Sequence, residues 1–390
     1  MSTKVMHIIS SLEIGGAQRV LEATLNGLPS GDYKQVVVNL TRETPFAAGL
    51  RHQGFTIFCL NLTRRNMLSG IYRLIQLIRS ENPDIIHTWL YHADFIGGIL
   101  ATLFSSSPIV WSVHHASADL AHEKQSTRWL IKLLSMLSRF IPKYILYCSD
   151  DALKVHTQFG YKPHSYKVIL NGVDTSAFKP SRSNRVIFRQ ELGAAEESLV
   201  IGLVARYASI KGVDVFIEMA NSLLGRNKKF MFVLCGTAMD EHNSELLKKL
   251  DKFGILDSFK LLGERSDTNK VMSGLDLLVC PSFAESFGLV VAEALATGVP
   301  VVASKIETLQ KMVGPQWCVT IGDSDGFARK TEELLSLPAK ERNQIGLQGR
   351  KRMEATWSID SMLTEYANLY RSLNNINLSV GNSRGDSNLL

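Results

Sequence analysis

Two glutamates with seven residues between them, Glu285 and Glu293 in PSFAESFGLVVAEA (Pro281 to Ala294), are the residues best spaced for chemistry in this chain. An apolar run that reads as a strand ends at Cys280, a loop follows, and a helix begins near Gly288. Glu285 therefore belongs to the loop, and Glu293 lies more than one turn into the helix. The backbone N–H groups of Ser286, Phe287, Gly288 and Leu289 at that helix start point outward, where they suit hydroxyl or phosphate oxygens. Glu293 stands among Val290, Val291, Ala292, Ala294 and Leu295, where burying a carboxylate without a partner is costly. The plain alternative is a capping acid at 285 and a solvated helix residue at 293.

A pair of cations has matching placement. In LVARYASIKG (Leu203 to Gly212), Arg206 directly follows an apolar strand and Lys211 precedes a helix that starts about Gly212. A pyrophosphate at that edge would meet a bidentate guanidinium, an ammonium point charge and a helix N-terminus. Read alone, the two are equally surface cations flanking a turn. Near the start, IGGAQRV (Ile14 to Val20) sets Gly15 and Gly16 between the first strand and the first helix, where backbone amides can approach an anion closely. The absence of G-x-G-x-x-G there argues against a nicotinamide or flavin site. His114 and His115 emerge from the strand Ile109 to Val113, and His114 in particular can hydrogen-bond a sugar hydroxyl or reach a reacting centre. Gly263, Glu264 and Arg265 close another strand end, where backbone amides can hold a base. His87 and His92 in HTWLYH flank a similar strand end without a third ligand at metal spacing, so no metal is expected.

These residues all sit at the ends of short runs rich in Val, Ile and Leu that alternate with segments of helical spacing, the signature of βαβ units and parallel sheets. The first series of strands is Lys4 to Ile9, Gln35 to Leu40, Thr56 to Leu60, Asp84 to Thr88, Ile109 to Val113 and Tyr144 to Cys148, with helices such as Ala17 to Leu28 and Leu68 to Ser80. The pattern restarts near residue 195 with Leu199 to Ala205, Phe230 to Cys235, Phe259 to Leu262, Leu277 to Cys280 and Val299 to Ala303. Between the series, VILNGVDTSAFKP (Val168 to Pro180) carries the Asn171-Gly172 turn signal and a helix-breaking Pro180. The expected organisation is two doubly wound domains, 1–170 and 171–355, facing across a cleft formed at the carboxyl ends of their strands. Residues 356–373 form a C-terminal helix that can cross back to the first domain, and the polar tail 374–390 is expected to be disordered.

Composition narrows the classes further. The chain has 390 residues, 45% hydrophobic and 21% charged, enough for two cores without disulfides or metal. Five cysteines without a C-x-x-C pair read as core thiols of a reducing compartment. Met1 to Ser10 lacks the basic start and cleavage site of a secretory leader, and the longest apolar stretch, Phe287 to Ala303, is interrupted by Glu293 and Pro300. A cytoplasmic protein is expected, with peripheral attachment to the inner face of a membrane as a further possibility of its charge. Residues 1–170 hold 17 Lys and Arg against 11 Asp and Glu, whereas residues 171–390 hold 26 against 26, so the whole net charge of +6 lies in the first half. Arg64, Arg65, Arg73 and Arg79 accompany one apolar helix, and Arg128, Lys132, Arg139 and Lys143 accompany the apolar segment Trp129 to Ile141. Such segments either rest on an anionic lipid surface or pack in the core with snorkelling cations. No concentrated basic stripe or stacking motif points to nucleic acid.

Taken in order along the chain, GGAQRV, WSVHH, NGVD, the Arg206 and Lys211 pair, LGERSD and PSFAESFGLVVAEALATGVPVVAS resemble the retaining GT-B glycosyltransferases of family 4. The resemblance implies transfer of a sugar from a nucleoside-diphosphate sugar, a UDP-sugar first among the candidates, to a hydroxyl of a glycan or lipid-linked acceptor, with no cofactor and no metal. It implies that Glu285 and the amides of Phe287 and Gly288 contact the donor sugar and that Glu293 binds the ribose. It further implies that Arg206 and Lys211 hold the diphosphate, that Gly16 approaches it, and that His114 contacts the sugar near its anomeric carbon. The catalytic set is then His114, Glu285, Arg206 and Lys211. Two departures stand out: Gln18 occupies a position where the family more often has Glu, and Ser286 one where it usually has Gly. A sugar-nucleotide epimerase and a non-catalytic nucleotide-sugar-binding protein share these features and remain open.

Overall fold

Runs of Val, Ile and Leu buried on both faces form strands because branched side chains suit a pleated surface covered by helices on each side. The computed structural model describes residues 2–13, 15–114, 125–195, 197–225 and 230–385. Two compact units result, one comprising the residues up to Asn171 with those from Asp360 onward, the other Gly172–Ile359.

In the first unit, β1 (Thr3–Ile9), β2 (Tyr33–Asn39), β3 (Thr56–Cys59), β4 (Ile85–Trp89), β5 (Ile109–Val113), β6 (Tyr144–Tyr147) and β7 (Tyr166–Val168) make a parallel sheet. Its order is β3-β2-β1-β4-β5-β6-β7. In the second, β8 (Leu199–Val204), β9 (Phe230–Cys235), β10 (Phe259–Leu261), β11 (Leu277–Cys280), β12 (Val301–Ser304) and β13 (Cys318–Val319) run parallel in the order β10-β9-β8-β11-β12-β13. Both sheets are doubly wound and Rossmann-like. The order reverses between β1 and β4 in one and between β8 and β11 in the other, and the carboxyl ends of such neighbours are where open α/β sheets take ligands.

β7 and β13 were not expected from sequence: each is an edge strand of two or three residues, too short to show a period. β12 starts at Val301 because Pro300 has no N–H, although its carbonyl still accepts from Leu278 N at 3.1 Å. β4 is displaced one residue from its expected bounds and gains Trp89, while Asp84 ahead of it takes the N–H of Lys4 on its carboxylate at 2.7 Å. The last helix runs Ile359–Gly385, so helical backbone continues past Leu373 into the segment whose polar composition suggests disorder. A helix already nucleated extends at little cost where no proline interrupts it. This helix belongs to the first unit, where His87 and Tyr370 OH are hydrogen-bonded at 2.6 Å and Tyr33 OH donates to Ala367 O at 3.2 Å.

One buried acid carries a measurable consequence. Asp94, in the first turn of the helix Tyr91–Phe104, is fully buried; Thr88 Oγ1 donates to its Oδ1 at 2.5 Å, and among the described residues Oδ2 has no partner. Burial, opposed in part by the Thr88 hydrogen bond, pushes the carboxyl well above its ordinary 3.8. As pH rises past 3.8 the unfolded chain ionises first, so the contribution of Asp94 to stability, complete below that value, drains away until the folded carboxyl titrates as well. Asp94→Asn is therefore expected to melt increasingly above the parent as pH is raised from about 4 to about 8. Calorimetry across that range checks it, and a pH-independent difference would show that Asp94 titrates normally.

Candidate active site

The loops that leave β8 and β11, on either side of the reversal in the second sheet, bring two of the sequence candidates into contact. Lys211 ends a 3-10 turn, Ser209–Lys211, and its Nζ donates to Glu285 Oε1 at 2.6 Å, with the two side chains 24% and 12% exposed. Ser282 Oγ donates to the same oxygen at 2.8 Å. The opposite charges hold each other in a half-buried position where either alone would be costly. Next to them the Cys280 thiol is pushed up to about 11, chiefly by burial and then by the Glu285 carboxylate, so it stays protonated and is no nucleophile at neutral pH.

Backbone geometry explains how the loops come so close. Gly212 has φ of +68°, and a Cβ there would stand 2.1 Å from Pro281 O, so only glycine lets the two loops cross. Phe283 N donates to Ile210 O at 2.8 Å beside that crossing. Gly288 likewise has a positive φ, +85°, and starts the helix Leu289–Ala296 without a side-chain cap at its N-terminus. Phe287 is buried, Ser286 and Leu289 are half-buried, and Glu293 lies half-buried in the second turn of that helix.

The remaining loops of the second unit extend this rim. Arg206 is exposed two residues beyond β8. Tyr207 N donates to Thr237 O at 2.8 Å, Gly236 N to Gly263 O at 2.7 Å, and Gly263 N to Met239 O at 2.9 Å, which ties the loops after β8, β9 and β10 together. Glu264 is exposed, with Thr237 Oγ1 donating to it at 3.1 Å. The Arg265 guanidinium is occupied, donating to Asp267 at 2.9 Å through two nitrogens and to Glu191, so any ligand contact at this position falls to the backbone.

Gly16 and His114 belong to the first unit. Gly16 opens the helix Gly16–Gly27; a Cβ there would meet nothing within 4 Å, so neither packing nor a positive φ requires glycine. Gln18, buried behind it, donates Nε2 to Ser11 O at 2.7 Å and so ties the loop after β1, a bond that an ionised glutamate has no proton to make. His114 is 9% exposed, immediately after β5, with its ring stacked on Trp89 at 5.2 Å and 11°. His115 lies outside the described residues. Sequence reasoning missed Ser282 and Trp89; the first had no signal beyond the loop itself, whereas strand alternation in HTWLYH would have placed Trp89 beside His87. Among the described residues, no cluster of three His, Cys, Asp or Glu side chains is arranged to hold a metal ion.

The family model described as Glycosyltransferase Family 4 matches residues 14–177, and that described as Glycosyl transferases group 1 matches residues 184–352. The chain is 25% identical over 364 residues to the UDP-Gal:alpha-D-GlcNAc-diphosphoundecaprenol alpha-1,3-galactosyltransferase of Escherichia coli, covering 88% of this chain and 92% of that protein. It is 27% identical over 292 residues to the MMP alpha-(1->4)-mannosyltransferase of Mycolicibacterium hassiacum, covering 70% and 67%. Among solved structures, Anabaena Alr3699/HepE in complex with UDP and glucose matches with a TM-score of 0.84 at 21% identity, over 95% of this chain and all of that one.

Proposed function

The chain belongs to the family 4 glycosyltransferases of GT-B architecture, and from that premise we propose that it moves a sugar from a UDP-sugar to an acceptor hydroxyl with retention of anomeric configuration. The observation that carries the reading is the Lys211–Glu285 pair at the reversal point of the second sheet. A departing diphosphate needs positive charge, and Lys211 with the exposed Arg206 supplies it without calling on a divalent ion. When the donor binds, Lys211 Nζ turns from Glu285 to a phosphate oxygen, and the released carboxylate accepts hydrogen bonds from sugar hydroxyls. The amides that open the helix Leu289–Ala296 take the remaining donor oxygens, and Glu293 in its second turn takes the ribose. From the first unit, Gly16 and His114 are assigned to the donor's diphosphate and sugar on the family resemblance of GGAQRV and WSVHH. UDP-sugar use is supported by the galactosyltransferase relative and by the UDP-bound structural neighbour. Incubating purified protein with a panel of nucleoside-diphosphate sugars, with and without lipid-linked acceptor, tests the reading: acceptor-dependent release of nucleoside diphosphate is expected. Release of epimerised donor in place of transfer would overturn it.

The acceptor reading, a lipid-linked glycan met at an anionic membrane surface, rests on the first unit. No helix among the described residues is long and apolar enough to cross a membrane. On the helix Gln125–Leu137, Ile131 and Leu134 face inward, while Trp129, Leu133 and Met136 form an exposed apolar stripe that Phe140 continues at 79% exposure. Lys132, Arg139 and Lys143 are exposed around it. The helices Met67–Glu81 and Tyr91–Phe104 pack alongside in turn and add the exposed Leu68, Tyr72 and Leu103. Apolar area flanked by cations suits a lipid surface, each cation contributing about 1 kcal/mol. The protein is expected to float with vesicles rich in phosphatidylglycerol and to lose that association in Trp129→Ser/Phe140→Ser. Failure of the parent to float would remove the membrane from the proposal.

A further inference from the structure

Alternation along a strand sends every second side chain to one face, so His87 and Trp89 of β4 share a face, and pairing sets His7 of β1 against His87 and Ser112 of β5 against Trp89. His114, two residues beyond Ser112, continues that row. The result is a buried polar and aromatic layer on one face of the sheet, in contact with Tyr366 and Tyr370 of the last helix of the first unit. Trp89 is its centre, fully buried, with ring centroids 5.2 Å from His114 at 11°, 4.4 Å from His87 at 31° and 6.2 Å from Tyr366 at 20°.

The hydrogen bonds of this layer have a fixed direction. Trp89 Nε1 can only donate, so His7 Nδ1, 3.2 Å away, accepts; His7 is then protonated at Nε2 and donates to Gln35 Oε1 at 3.2 Å, while Gln35 Nε2 donates to Leu25 O at 3.0 Å. Burial lowers His7 to about 4, which keeps it in that neutral form. On the other side, His87 is held between Tyr370 OH at 2.6 Å and Ser112 Oγ at 2.7 Å. The indole therefore has one orientation, and His114 lies flat on it.

We propose that Trp89 is a positioning residue for His114, and that the last helix, through Tyr366 and Tyr370, holds the indole in place. The proposal rests on the reading of His114 as a group that contacts the sugar near the reacting carbon. Small displacements of such a group cost turnover far more than binding, because the donor's nucleotide is held by other loops. The test compares Trp89→Leu and Trp89→Phe with His114→Ala, each assayed well below its own melting temperature. Trp89→Leu is expected to lower kcat about tenfold or more while changing KM for donor and Kd for UDP less than about twofold. Trp89→Phe keeps an aromatic face but loses the bond to His7, and its kcat is expected between the two. Combined with His114→Ala, Trp89→Leu is expected to add nothing, since both act through one ring. A folded Trp89→Leu with parental kcat, or full additivity with His114→Ala, would overturn the positioning role while leaving the active-site reading intact. Parental kcat in His114→Ala would overturn both. Should Trp89→Leu not fold, Trp89→Phe alone and in the double variant carries the same comparison: a kcat equal to that of the parent overturns the role.

Discussion

Lys211→Ala is expected to lower turnover about a hundredfold to a thousandfold, the loss of about 3–4 kcal/mol that follows removal of one preorganised charge-stabilising group from a transition state. Two effects act in the same direction. The variant loses the ammonium that meets the departing diphosphate, and it leaves Glu285, 12% exposed and otherwise bonded to Ser282, as an uncompensated carboxylate facing an incoming polyanion. Nucleotide affinity should therefore fall along with turnover. Lys211 sits on a surface turn and contributes no core packing, so cooperative unfolding should persist. Lys211→Arg is expected to recover only part of the activity, because a planar guanidinium replaces a compact ammonium in a site shaped around the latter. Nucleoside-diphosphate release, paired with calorimetric UDP binding, checks both parts. Near-parental turnover in a folded Lys211→Ala would mean that the pair at the β8/β11 edge is structural.

What the sequence made legible was the central architecture and the chemistry at strand ends. Eleven of the thirteen strands among the described residues coincide with expected runs, because most are short, largely buried apolar stretches bounded by turn residues. The same logic placed Lys211 and Glu285 at one sheet edge, since a residue just past a parallel strand has nowhere else to go. Less legible was anything that depends on which strands are neighbours. The contact between Lys211 and Glu285 requires β8 and β11 to be adjacent although β9 and β10 lie between them in sequence. The stack of His114 on Trp89 needs β4 beside β5, and its closure by Tyr366 and Tyr370 needs a helix more than 250 residues further along the chain. His87, whose place at a strand end could have suggested a ligand, proves to be fully buried with both ring nitrogens hydrogen-bonded. Arg265 was grouped with the donor site through its backbone amide; its guanidinium is committed to the nearby Asp267 and to Glu191, the second a partner that no local pattern announces.

Gly212→Ala should damage the site almost as severely as loss of Lys211, though by geometry and not by charge. An alanine in the left-handed region costs about 1–2 kcal/mol wherever it occurs. At position 212 it also drives a methyl group to 2.1 Å from Pro281 O and 2.8 Å from Pro281 C, and backbone atoms cannot swing aside as a flexible side chain does. The loop that carries Ser282 and Glu285 must move by an ångström or more relative to Lys211, and a misplacement of that size costs about a hundredfold in turnover. Gly193 supplies the control. It has almost the same conformation, φ +65°, at the end of the helix Arg182–Leu192, but nothing lies within 4 Å of its would-be Cβ. Gly193→Ala is therefore expected to lose stability through backbone strain alone and to keep parental kcat. Gly212→Ala should melt lower still and lose both turnover and UDP affinity. The difference between the two variants isolates the loop crossing from the intrinsic cost of a left-handed residue. If Gly212→Ala behaved as Gly193→Ala does in melting and in kcat, the crossing of the β8 and β11 loops would not be what holds Glu285 against Lys211.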